Sequence, residues 1–273
     1  MKKILTRMLV VVIIVTAAGS YSCKNRGEKK IQKKINMVEM ESLEQQIEEN
    51  VYPLPTSAEV VKKLTDMDLG YILGSTNPPD NARNYVESYN RSVNIGVYGA
   101  DLSYATLYNM QQDVIDYLSA IRTLALEQNL SNIYDESLYD RIKANFDNRD
   151  TLVVILTSAF DNTYSYMVDA GQANLALLMV GGAWVEGMYL TLAVSESGSH
   201  LSGFESVLLE QKKSFELFEE LSRPNAEDPL VARLLDLVQP IRDVYATLGT
   251  SLTMENIEAM KKAVTAVRSE LIK

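Results

Sequence analysis

From Thr56 to the C-terminus, apolar side chains recur every three or four positions, and no pair of segments alternates convincingly as strands. The spacing predicts a helix opening at Ser57, then helices over about 82–93 or beyond, 102–128, 138–146, 150–194, 201–221, 229–248 and 254–272. Breaks are expected at Asn77-Pro-Pro-Asp80 and near Tyr98, where Gly96 and Gly99 loosen the pattern. Gly171 is expected to bend the longest helical region, and Pro240 to kink or split the 229–248 segment. Asp228 before Pro229 makes a good N-cap and first-turn pair. No fixed-period repeat stands out, so a solenoid is not expected. The expected fold is all-α: one multi-helix bundle of about six to eight helices over residues 56–273.

The first residues follow a different pattern. Lys2, Lys3 and Arg7 form a basic head, Met8 to Ala18 is almost unbroken aliphatic, and small and polar residues lead to Cys23. That is the layout of a secretory signal peptide. The apolar run of about 11 residues falls short of the roughly 20 a membrane-spanning helix needs. A cysteine directly after the cleavage zone can carry a diacylglycerol on its thiol. The expectation is a lipoprotein signal over 1–22, lipidation at Cys23 and a lipid-anchored tether over 23–55. A plain secretory signal with an unmodified thiol is the alternative, although one unpaired thiol on an exported chain favours modification.

Lys24, Arg26, Lys29, Lys30, Lys33 and Lys34 then stand against Glu28 alone. Beside a lipid anchor they can lie on anionic headgroups, at about 1 kcal/mol each, or simply form a solvated tether. Ile31, Ile35, Val38, Leu43 and Ile47 suggest a spacer helix, which Tyr52-Pro-Leu-Pro55 ends.

Charge and chemistry narrow the function. The net charge is −10, and loss of Lys2, Lys3 and Arg7 with the signal makes it −13. Such an acidic chain lacks the basic footprint of a nucleic-acid binder. The one histidine, His200, sits in a Ser/Gly-rich loop over 195–203 and reads as an exposed loop residue. A single histidine leaves no pair for a zinc-protease site and no repeated Glu-x-x-His for a di-iron bundle. No glycine-rich phosphate loop, Gly-x-Ser-x-Gly elbow or alternating-acid calcium loop occurs. No metal or cofactor is expected.

Two acids stand in apolar surroundings. In a helix, Tyr98, Asp101, Tyr104 and Tyr108 share a face. Glu186 lies in Gly181-Gly-Ala-Trp-Val-Glu-Gly-Met-Tyr189, inside the apolar stretch 170–194. Gln172, Asn174 and Glu186 punctuate that stretch, and an ionised Glu in lipid is costly, so a central buried helix is expected rather than a membrane span. A buried charge needs a partner. One reading is a pocket walled by Tyr98, Tyr104, Trp184 and Tyr189, in which Asp101 and Glu186 fix a polar or cationic ligand. A second is a satisfied hydrogen-bond network that sets helix register. A third makes the two carboxyls a general acid and base. The fifteen tyrosines are expected to be half-buried packing residues for the most part.

The stretches at 96–104 and 181–189, behind a lipoprotein-type signal, resemble an uncharacterised family of all-helical lipoproteins from Gram-negative bacteria. The resemblance implies an all-α fold and an envelope location, and brings no activity with it. The expected role is non-catalytic binding or scaffolding in the cell envelope, toward a protein partner or small ligand. The anchor would place the domain on a bacterial membrane, the outer membrane foremost, facing the periplasm or the exterior. The alternatives are an envelope enzyme using Asp101 and Glu186, and a purely structural envelope component.

Overall fold

A computed structural model of the chain describes residues 70–130, 132–195, 204–248 and 253–273. The expected signal, Cys23, the tether, the helix opening at Ser57 and His200 lie outside the described residues. Among the described residues there is no strand. A 3-10 turn, Pro79–Asn84, leads into α1 (Ser88–Leu107), α2 (Gln111–Leu126), α3 (Glu136–Lys143), α4 (Arg149–Asp169) and α5 (Ala173–Ser195). Then come α6 (Phe204–Ser222), α7 (Pro229–Leu237), α8 (Gln239–Thr247) and α9 (Met254–Leu271). The fold is an all-α bundle, as the periodicity implies.

Local chemistry sets the helix starts. Asp135 accepts from the Leu138 amide, Asn148 from Thr151, and Thr253 with Asn256 forms a reciprocal capping box. Asp228 caps α7 through the amides of Leu230 and Val231 and also accepts from Asn174 Nδ2 at 3.0 Å. Asp228→Ala is therefore expected to cost about 1–2 kcal/mol, read from the midpoint of chemical unfolding. A change within about 0.3 kcal/mol would show that the cap and its bridge to α5 are immaterial.

Two breaks fall as expected. Gly171, at φ +74°, turns the chain between α4 and α5, and the Gln239–Pro240 start of α8 splits the 229–248 segment. This subdivision yields nine α-helices among the described residues rather than six to eight. One expectation is overturned. Gly96 and Gly99 do not interrupt the helix: α1 runs straight through them to Leu107, and Asn109 takes φ +56° before α2 begins. Near the first break, the residues around Ala82 form a 3-10 turn, and α-helix starts only at Ser88.

The reason for Gly96 lies in packing. A Cβ there would overlap the Met179 carbonyl oxygen and sit 2.7 Å from Ala183 N. A Cβ on Gly182 of α5 would overlap the Val93 carbonyl oxygen. Each glycine faces the main chain of the other's helix, so α1 and α5 meet at backbone contact and form the central pair. α5 is long and apolar enough to span a bilayer over Ala173–Val194, and 89% of its most apolar window is covered by neighbouring helices. It is the buried axis of the bundle. α1, α4, α6, α7 and α9 pack around it, and α2 packs against α1.

Candidate functional site

α1 carries Asp101 and α5 carries Glu186, and the close approach of these helices brings the two carboxyls to face each other with no solvent exposure. α9 supplies the third member. Arg268 donates from Nε to Glu186 Oε2 at 2.7 Å and from Nη2 to Oε1 at 2.8 Å, a bidentate pair. The guanidinium also lies 4.0 Å from the centre of the Tyr189 ring, a cation–π contact.

The chain entering α1 completes the network. Residues 71–78 cross this face as a strap, held at five points. Tyr71 Oη donates to Asp113 Oδ2 at 2.9 Å. The Ile72 amide donates to Tyr104 Oη at 2.8 Å. Arg268 Nη2 donates to the Ser75 carbonyl at 2.9 Å. The Asn77 amide donates to Asp101 Oδ2 at 3.2 Å, and Tyr98 Oη donates to the Pro78 carbonyl at 2.9 Å. The Asn77 side chain donates to Tyr85 Oη and Asn94 Oδ1, and Asn94 and Tyr85 reach on to the carbonyls of Leu271 and Ile272. These contacts tie both ends of the described domain to α1.

Of the residues singled out by sequence, Asp101, Glu186, Tyr98, Tyr104 and Tyr189 belong to this assembly. Trp184 does not. Two positions before Glu186, it turns to the far side of α5 and packs 4.8 Å from Phe215 and 6.2 Å from Tyr245, measured between ring centres. Aromatic walls do flank the acids, but the space between them holds the chain's own strap. Sequence reasoning missed Arg268, Asn77 and Asn94. For Arg268 a signal existed: it stands in α9 among Val264, Val267 and Leu271, all buried, where a cation requires an acid.

Burial dominates the electrostatics of the pair. Burial pushes the Asp101 carboxyl well above the usual range, and the neighbouring Glu186 charge adds to the shift. Burial pushes Glu186 up as well, while its two bonds to Arg268 and one from Asp101 favour its ionised form. Asp101 Oδ1 is buried and receives no donor from the protein. Glu186 is the bidentate partner of Arg268. Burial also raises the hydroxyls of Tyr85 and Tyr104, keeping them as neutral donors and acceptors. Among the described residues no group of three His, Cys, Asp or Glu could hold a metal ion.

Set against family models, curated proteins and solved structures, the chain matches none. Fold and site define it by their own chemistry: a helical bundle around a buried carboxyl pair closed by one arginine.

Proposed function

We infer that this chain is a lipid-anchored cell-envelope protein whose helical domain works without catalysis, as a binding or scaffolding module toward a protein partner or small ligand. The observation that carries the reading is the enclosure of the carboxyl pair. An envelope enzyme using Asp101 and Glu186 would need both carboxyls open to substrate. Here both are fully buried, and both Glu186 oxygens are occupied by Arg268. Their partners are helices and strap, so they favour a rigid scaffold. The signal-like head and Cys23 support the anchor, and the resemblance to helical lipoproteins supports the envelope location.

The test begins with the anchor. Cys23→Ala is expected to abolish metabolic labelling with a radiolabelled fatty acid and to move the protein out of the membrane fraction. Unchanged labelling overturns the lipoprotein reading. For the domain, photo-crosslinking in intact cells is expected to give a discrete adduct with the anchored chain that C23A loses. Turnover of a substrate that disappears in a folded D101N chain would instead establish the enzyme.

A further inference from the structure

We propose that Asp101 and Glu186 hold a single proton between them, and that this proton is the latch that fastens the strap of residues 71–78 to the domain. Three ionisable groups meet in a buried space, two carboxyls and one guanidinium, and Arg268 is spent on Glu186 through two bonds. With both acids ionised, the enclosure would hold an uncompensated negative charge, which is expensive to bury. One proton removes that charge and gives the buried Asp101 Oδ1 its missing partner, as a donor to Glu186. On folding, the proton is taken up from water by a pair that is fully ionised in the unfolded chain at neutral pH.

The latch acts on the strap because two of the same three side chains hold it. Asp101 accepts the Asn77 amide, and Arg268 binds the Ser75 carbonyl while it grips Glu186. The remaining groups facing the pair do not supply a second positive charge. They are Tyr98 and Tyr104 on α1, Tyr117 on α2 with Asp113 behind it, Tyr85 just after the 3-10 turn and Tyr189 on α5. Burial pushes Tyr98 and Tyr117 far up, so they stay neutral. When the proton leaves, two carboxylates share one guanidinium, and the cheapest relief is to lift the strap and admit water.

The sign follows from linkage. The native pair binds one proton more than the unfolded chain at any pH above the ordinary Asp range and below the point where the native pair releases it. Across that window the folding constant falls up to tenfold for each unit of rising pH.

Asp101→Asn tests this in the full chain. Asparagine reproduces the neutral carboxyl: Nδ2 donates to Glu186 and Oδ1 accepts the Asn77 amide. Wild type and D101N are expected to be about equally stable at the acidic end of the window. The ratio of their folding constants should then shift toward D101N by up to tenfold per pH unit. Hydrogen exchange of the peptide covering residues 71–77 should lose protection with rising pH in wild type, ahead of α5, and keep it in D101N. Parallel pH profiles, or a strap that opens only together with α5, overturn the latch.

Should D101N fail to fold, infrared spectroscopy of wild type decides. A protonated-carboxyl carbonyl band is expected just above neutral pH, where Asp161, pushed up to about 6 by burial, has already ionised. Absence of that band overturns the shared proton.

Discussion

Replacing Arg268 by Met is expected to destabilise the fold by about 3–5 kcal/mol, one of the largest effects of any single side chain in this domain. Met has similar reach and removes the charge, so the loss is electrostatic rather than a cavity. Glu186 would be left ionised in a sealed space, or would have to take up a proton beside Asp101. The Ser75 carbonyl would lose its donor, and the Tyr189 ring its cation. Arg268→Lys keeps the charge but cannot make both bonds to Glu186 and the stack on Tyr189 at once, so an intermediate loss is expected. Urea unfolding reads both, as a shift in midpoint at constant slope. A loss under about 1 kcal/mol for R268M would mean that the pair is solvated and behaves as a surface ion pair.

Gly96→Ala is expected to cost at least about 3 kcal/mol, and Gly182→Ala a similar amount, despite alanine's advantage of about 1 kcal/mol within a helix. At both positions the added methyl would meet main chain: the Met179 carbonyl in one case and the Val93 carbonyl in the other. A side chain can rotate away, whereas a carbonyl inside a helix cannot move without its whole turn. Accommodation therefore separates α1 from α5, and that displacement is transmitted to Asp101 and Glu186. Gly99→Ala is the internal control. It lies in the same helix, its Cβ would meet only the Phe160 ring at 3.5 Å, and that is ordinary contact. This substitution should stabilise by up to about 1 kcal/mol. If G96A also stabilised the protein, the close pairing of the two central helices would be wrong.

The contrast between Gly96 and Gly99 also marks what sequence can convey. The helical periodicity, the Asp228 cap, the turn at Gly171 and the split at Pro240 are local, and each was legible. Gly96 reads locally as a loosening of the helix, but its cause is non-local: a carbonyl on α5, more than eighty positions away in sequence, occupies the place of its Cβ. The same limit applies to the site. Helical spacing put Tyr98, Asp101 and Tyr104 on one face, and the polarity of Glu186 in an apolar run marked it as partnered. Nothing in periodicity says that the partner is Arg268 or that the tyrosines clasp the chain's own residues 72 and 78. Nearness to Glu186 in sequence suggests Trp184 as a wall of the site, although two steps along a helix lead to its far side. An irregular strap has no hydrophobic period, so its course emerges only from the fold.

The central claim is that Asp101, Glu186 and Arg268 form a closed structural centre rather than an open reactive one. Hydrogen exchange at neutral pH in the full chain tests it most directly, at the Asn77 amide that donates to Asp101 and the Arg268 Nε–H that donates to Glu186. The account predicts protection for both far above that of an exposed loop, with Arg268 Nε–H matching the slowest amides of α1 and α5. Exchange of both at the rate of solvated loop groups would contradict it and reopen the site to substrate.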